Sequence, residues 1–212
     1  MKIKTINLYE FDELSDDAKE KAREWWRECE SDDFGGQGEL FEDVEEVATI
    51  LGVTFNRHNV PLMGGGKRSE PDVWWQLHSQ GSGASFTGRY QYVKDSVKSI
   101  KAWAPKDVEL HRIVEELQVL QKSYRYGLTA IIITSGRSVH SNSMNIEAYD
   151  NNGHDAKPKD ADTLLELMRD FANWIFDGLN KEWEYRMSNE NVDESIRINE
   201  YTFTMDGKHM EL

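Results

Sequence analysis

The sequence predicts an α+β fold, a mainly antiparallel sheet with helices packed on it, in a single domain over residues 1–212. Three observations carry this. Residues 72–92, DVWWQLHSQGSGASFTGRYQY, read as two aromatic-rich strands around a turn holding Gly81 and Gly83. Residues 128–134, LTAIIIT, are the most β-branched run of the chain and suit a strand. Elsewhere apolar residues recur at three- and four-residue spacing, so that pairs of strands alternate with pairs of helices.

Residues 1–11 alternate loosely through Ile3, Ile6, Leu8, Tyr9 and Phe11 and predict a strand. Ser15 stands where an N-cap is needed, and Asp16 and Asp17 follow in a first turn whose dipole favours negative charge. The helix after it places Ala18, Ala22, Trp25, Trp26 and Cys29 on one face. Glu20, Glu24 and Glu28 lie off that face, interleaved with Lys19, Lys21, Arg23 and Arg27 at spacings that pair along a helix. Residues 31–38 break it. Leu40, Val44, Val47 and Leu51 predict a second helix, closed by Gly52. A strand begins over residues 53–55. Residues 56–71, with Pro61, Pro71 and the run Gly64-Gly65-Gly66, read as a loop.

In the aromatic stretch, Val73, Trp75 and Leu77 alternate with Trp74 and Gln76, so both faces are partly apolar and a central strand is predicted. On the return strand Ala84, Phe86, Gly88, Tyr90 and Tyr92 share a face. Val97, Ile100 and Trp103 make a short helix ended by Pro105. Leu110, Ile113, Leu117, Leu120 and Tyr124 make a stronger one, stopped at Gly127. After the β-branched strand, Ser135-Gly136-Arg137 turn the chain into a strand over 139–149, which Asn151-Asn152-Gly153 ends. The longest helix covers 161–187, with Leu164, Met168, Phe171, Ile175, Leu179 and Trp183 as its buried stripe. A short helix over 192–199, a strand over 201–205 and a turn at Asp206-Gly207 complete the order.

Composition excludes several classes. With 38% hydrophobic and 11% aromatic residues, a chain of 212 can bury a core despite its 30% of charged residues. Its apolar runs are too short to cross a bilayer, and its start has no apolar h-region, so a cytoplasmic protein is expected. Cys29 is the single cysteine, which excludes an internal disulfide and a thiolate zinc cluster. The net charge of −14 is uneven: residues 1–50 carry 6 Lys/Arg against 16 Asp/Glu, whereas residues 51–100 carry 6 against 3. Such an acidic excess repels nucleic-acid phosphate and favours basic partners.

Signatures of chemistry are mostly incomplete. Gly66-Lys67 lacks the glycine and the serine or threonine that a phosphate loop needs, since Pro61 and Arg68 occupy those positions. Gly81-Ser82-Gly83 is one residue short on each side of a nucleophile elbow. A ligand pocket at the Gly-rich hairpin would use Gln80, Gly81, Gly83 and Arg89, and an enzyme there would use His78, Ser82, Ser85 and His140. The alternative for the same residues is a plain hairpin whose glycines supply positive φ. The six histidines show no H-x-x-x-H pair, and no metal or cofactor is expected. Trp74, Trp75, Phe86, Tyr90 and Tyr92, beside Lys67, Arg68, Arg89 and Lys94, would suit single-stranded nucleic acid if exposed; core packing is the simpler role, and direct nucleic-acid binding is not expected. The densest acidic clusters are Asp12, Glu13, Asp16 and Asp17 with Glu10, and Glu42, Asp43, Glu45 and Glu46. They can serve as solvated helix faces or as a surface that mimics spaced phosphates.

A resemblance adds to this. Tyr9-Glu10-Phe11-Asp12-Glu13-Leu14-Ser15 with Ala18-Lys19 and Trp25-Trp26, then residues 79–86 (SQGSGASF), Glu109-Leu110-His111-Arg112-Ile113 and Asn199-Glu200-Tyr201-Thr202-Phe203, resemble a family of uncharacterised acidic phage and prophage proteins. Such proteins sometimes carry the label of antitoxin of a toxin–antitoxin stability system. The resemblance implies a phage-encoded protein that binds and neutralises a basic host or defence-system protein, as an antitoxin, an anti-CRISPR-like inhibitor or a nucleic-acid mimic. It assigns no functional residue.

Overall fold

The α+β class holds in the computed structural model, which describes residues 6–33, 38–77, 81–134 and 139–210. Residues 135–137, expected to form a turn, lie outside the described residues, as do His78 and Gln80. The chain folds as two units, one of Met1–Gly38 with Asn180–Leu212 and one of Glu39–Leu179.

In the first unit, residues 1–5 of the expected N-terminal strand lie outside the described residues, and its described part forms β1 (Tyr9–Glu10). Phe11 turns inward at the start of a 3-10 turn over Phe11–Glu13 and is only 2% exposed. Glu13 closes that turn by accepting the Glu10 N–H at 2.8 Å. Ser15 Oγ accepts the Ala18 N–H at 3.4 Å and starts α1 (Asp16–Asp33) as the sequence predicts. Ala18 and Ala22 pack with Val192 and Ile196 of α6 (Asn189–Ile198) and with Phe203 of β10 (Thr202–Phe203). Strand β10 pairs antiparallel with β1, Tyr9 opposite Phe203. Cys29 is exposed rather than inward.

The second unit begins with α2 (Gly38–Leu51), whose Val44, Val47, Ala48 and Leu51 are buried. Gly52, at φ +90°, then turns into β2 (Val53–Phe55). Residues 56–71 are not a loop: β3 (Arg57–Pro61) and β4 (Lys67–Pro71) pair antiparallel, Arg57 opposite Pro71. Their side chains are exposed or half-buried throughout, so no apolar alternation announces them. Strand β5 (Val73–Gln76) pairs with β6 (Gly83–Phe86) in a two-stranded sheet instead of lying at the centre of a larger one. The return strand breaks at Thr87, and β7 (Gly88–Gln91) enters a four-stranded antiparallel sheet. Its order is β2-β7-β8-β9, with β8 (Thr129–Thr134) and β9 (Met144–Tyr149). The strand expected over 139–149 starts only at Met144, since Ser141–Ser143 form a 3-10 turn.

One face of this sheet, through Val53, Phe55, Tyr90, Ala130, Ile132 and Ala148, is buried. The core it joins includes Leu110, Ile113 and Leu117 of α4 (Val108–Ser123) and Leu164, Met168 and Phe171 of α5 (Pro158–Met187). Ile100 of α3 (Ser96–Trp103) completes it. The Phe171 ring lies 5.7 Å from Phe86 and 6.4 Å from Phe55. Asp107 caps α4 through the Leu110 N–H at 2.9 Å and accepts Trp174 Nε1–H at 2.8 Å, which ties α4 to α5. Helix α4 stops at Arg125 and Tyr126, both at positive φ. Gly127 serves a different purpose: a Cβ there would lie 2.5 Å from the Cβ of Asn151.

Tyr90 is 2% exposed, and burial pushes its pKa from 10.0 up to about 12. The folded form therefore keeps the phenol proton after the unfolded chain has lost it. Stability is full below 10.0 and is lost as pH rises through about 12, a contribution of about 2–3 kcal/mol. Tyr90→Phe is expected to cost about 1–3 kcal/mol at neutral pH, because buried Gln121 Nε2–H loses the acceptor it holds at 3.2 Å, and to flatten this part of the alkaline unfolding curve, as followed by circular dichroism.

Candidate functional site

The acidic residues singled out above fall in both units, Asp12, Glu13, Asp16 and Asp17 in the first and Glu42, Asp43, Glu45 and Glu46 on α2 in the second. They are not equivalent. Arg197 Nη2 donates to Asp12 at 2.8 Å, and this hydrogen bond, helped by the guanidinium charge, holds the Asp12 carboxyl below its ordinary range. Glu13 is taken up by the Glu10 N–H, and Glu45 by the Arg57 guanidinium. Asp16, Asp17, Glu42, Asp43 and Glu46 are exposed and have no ion pair among the described residues. A half-buried pairing uses Asp193 instead, which receives Arg23 Nε at 2.6 Å and Nη2 at 2.8 Å. That fork raises the Arg23 pKa further.

At the Gly-rich hairpin the geometry is mixed. Gly83 lies against His140, where a Cβ would sit 3.3 Å from both Cα and Cδ2 of the histidine. His140 is not on a strand; its Nδ1 accepts the Asn142 N–H at 3.0 Å and caps the turn Ser141–Ser143. Ser82 is half-buried and Gly81, at φ +91°, is exposed. Ser85 is fully buried, and its Oγ has no hydrogen-bond partner among the described residues, a cost of about 1–3 kcal/mol. Arg89 stands apart on the open face of the four-stranded sheet, in one row with Thr54, Ile131 and Glu147. Phe86 and Tyr90 are core residues, Trp75 packs against the core and Trp74 is 36% exposed, so these rings do not form an open stacking platform. Among the described residues no group of three or more His, Cys, Asp or Glu is placed to hold a metal ion.

The most highly organised polar cluster lies where the three strand pairs of the second unit meet. Asn56 separates β2 from β3, Asp72 separates β4 from β5, and Thr87 separates β6 from β7. Their backbones bond in a ring: Asn56 N–H to Thr87 O at 2.9 Å, Thr87 N–H to Asp72 O at 3.0 Å, Asp72 N–H to Asn56 O at 2.7 Å. The side chains repeat the connection. Asn56 Nδ2 donates to Thr87 Oγ1 and Thr87 Oγ1 to Asp72 Oδ2, each at 3.2 Å, while Asp72 Oδ1 lies 2.8 Å from Nδ1 of His58. The only hydroxyl in this chain of bonds, Thr87, is committed to Asp72, so the cluster locks the β3–β4 ribbon and carries no nucleophile. Asp72→Ala is expected to speed hydrogen exchange of the Asn56, Thr87 and ribbon amides about 5- to 30-fold. Hydrogen exchange followed by NMR checks this. The sequence signal was slight: a histidine and an aspartate flanking a stretch that reads as loop.

Among the described residues no helix is long and apolar enough to cross a membrane. No curated protein and no solved structure matches the chain. Residues 38–189 match the model of a family described as a domain of unknown function, DUF8835. The match takes in the whole second unit and continues to Asn189, the first residue of α6, leaving α1 and β10 outside. It covers well over half of the 212 residues, and the chain belongs to the DUF8835 family.

Proposed function

We propose that this is a phage-encoded acidic protein that acts in the host cytoplasm by binding and neutralising a basic protein of the host or of its defence systems. The observation that carries the reading is the charge left over once internal pairing is complete. Among the described residues eight arginines stand in ion pairs with carboxylates of their own unit. The surplus of carboxylates in a chain of net −14 is thereby left on the surface, with Glu42, Asp43 and Glu46 spaced along the outer side of α2. An uncompensated acidic face steers and holds a basic partner and weakens with added salt. Burial of Phe86, Tyr90 and Ser85 counts against the single-strand-binding and serine-enzyme readings of the same stretch.

The test is capture from nuclease-treated bacterial lysate across a salt series, comparing the native chain with a Glu42→Lys, Asp43→Lys, Glu46→Lys variant. All three side chains are exposed, so the variant is expected to fold. A basic protein retained at low salt by the native chain, and lost both at high salt and with the variant, is the expected result. Retention indifferent to both overturns the reading.

A further inference from the structure

The four-stranded sheet of the second unit turns one face to the core and leaves the other open. On the open face Thr54, Arg89, Ile131 and Glu147 form a row across all four strands, and each of them is exposed. Gln91, Thr129 and Tyr149 make the row on one side of it, and on the other Ile133 stands opposite Asn145. Ile131 is 39% and Ile133 43% exposed, two large β-branched side chains along β8 that the described residues leave uncovered.

Charge selects the occupant. In a chain of net charge −14 with 30% charged residues, these rows carry one cation and one anion and are neutral. A second copy of the acidic chain can therefore approach this face with little repulsion. The two charges are also placed symmetrically. Neighbouring strands lie about 4.8 Å apart, so Arg89 and Glu147 flank Ile131 at equal distances. Among the described residues Arg89 has no ion pair, and Glu147 is met by the Tyr149 hydroxyl at 3.1 Å. A two-fold axis running along β8, midway between two such faces, exchanges the flanks. Arg89 of each protomer then faces Glu147 of the other, Ile131 meets Ile131 and Gln91 faces Tyr149. Sheets pack about 10 Å apart face to face, a gap that an arginine and a glutamate bridge together and paired isoleucines fill. Pairing through the sheet edges is the weaker route. Strand β2 has only three residues, and the outer edge of β9 is taken at Ala148 and Tyr149 by Ala156 and Asp155.

We propose that the open face of this sheet is the contact between two copies of the chain, held by two reciprocal Arg89–Glu147 ion pairs around an isoleucine seam. Four strands across and six residues along β8 cover about 400 Å² per protomer, the size of a transient contact, so the dimer is expected at about 10–100 µM and above. Nothing in this contact depends on the basic partner proposed above.

The test is sedimentation velocity of the full chain from about 5 µM to about 1 mM, in salt of about 150 mM to screen the net charge. The native chain is expected to pass from monomer to dimer over this range. Arg89→Glu alone and Glu147→Arg alone each set like charges against one another twice, and should raise the dissociation constant more than about tenfold. Mixed together, these two variants regain both attractive pairs, so a heterodimer in the native concentration range is expected. Ile131→Lys sets two cations on the axis and should keep the chain monomeric. All three side chains are exposed, so the variants keep the fold. A native chain that stays monomeric throughout overturns the proposal and leaves the face to another occupant. A native dimer that either charge reversal leaves intact, or two charge-reversed variants that fail to pair with one another, overturns it as well.

Discussion

Gly52→Ala is expected to lower the unfolding free energy by about 3–5 kcal/mol. Two costs add at this position. Its φ of +90° is one that an L side chain rarely adopts, and a Cβ there would lie 1.9 Å from the carbonyl oxygen of Gln91. Gln91 donates its own N–H to Gly52 O at 2.9 Å, so relief of the clash must pull β7 from the start of β2. Gly65→Ala isolates the first cost. It has a similar φ of +85° but open space around it, and should lose only about 1 kcal/mol. Denaturant unfolding of the two variants side by side checks the difference; equal losses would show that the approach of Gln91 is not what makes glycine necessary.

Gln121→Leu should cost about 2–4 kcal/mol although it preserves volume and adds apolar character. Gln121 is fully buried near the end of α4. Its Nε2 donates to Leu128 O at 2.7 Å and to the Tyr90 hydroxyl at 3.2 Å, and its Oε1 accepts the Leu128 N–H at 3.2 Å. One side chain thus satisfies both backbone groups of the residue that leads into β8. Leucine would leave that N–H and C=O buried without partners, and removing an acceptor or donor from a buried pair costs more than the pair itself contributes. Thermal unfolding measures the loss. A stability within about 0.5 kcal/mol of the native chain would show that water reaches Leu128.

The β3–β4 ribbon shows what kind of structure stayed hidden. Arg-His-Asn-Val-Pro and Lys-Arg-Ser-Glu-Pro bury neither face, so neither composition nor period separates them from a loop. Their pairing is written in backbone hydrogen bonds and in the ring at Asn56, Asp72 and Thr87. The break at Thr87 was hidden for the opposite reason. Ala84, Phe86, Gly88 and Tyr90 keep one parity across it and are all buried, so the alternation reads correctly while the strand changes partners from β5 to β2 and β8. The candidate site was legible only in part. The acidic residues stand out by composition, but their pairing does not. Arg23 and Asp193 meet across 170 positions, and that contact, like the stack of His209 on Trp25, has no local signature.

Local chemistry was enough to determine the α+β class, the cap at Ser15, the buried stripes of α4 and α5 and the β-branched strand β8, because periodicity and capping act over one or two turns of chain. Which carboxylates remain unpaired, which strands neighbour one another, that Ser85 is sealed in and that a C-terminal glycine turn closes on α1 were decided only in the tertiary structure. Each of these depends on groups far apart in sequence, brought together by burial of a shared core and by backbone hydrogen bonds that carry no side-chain code.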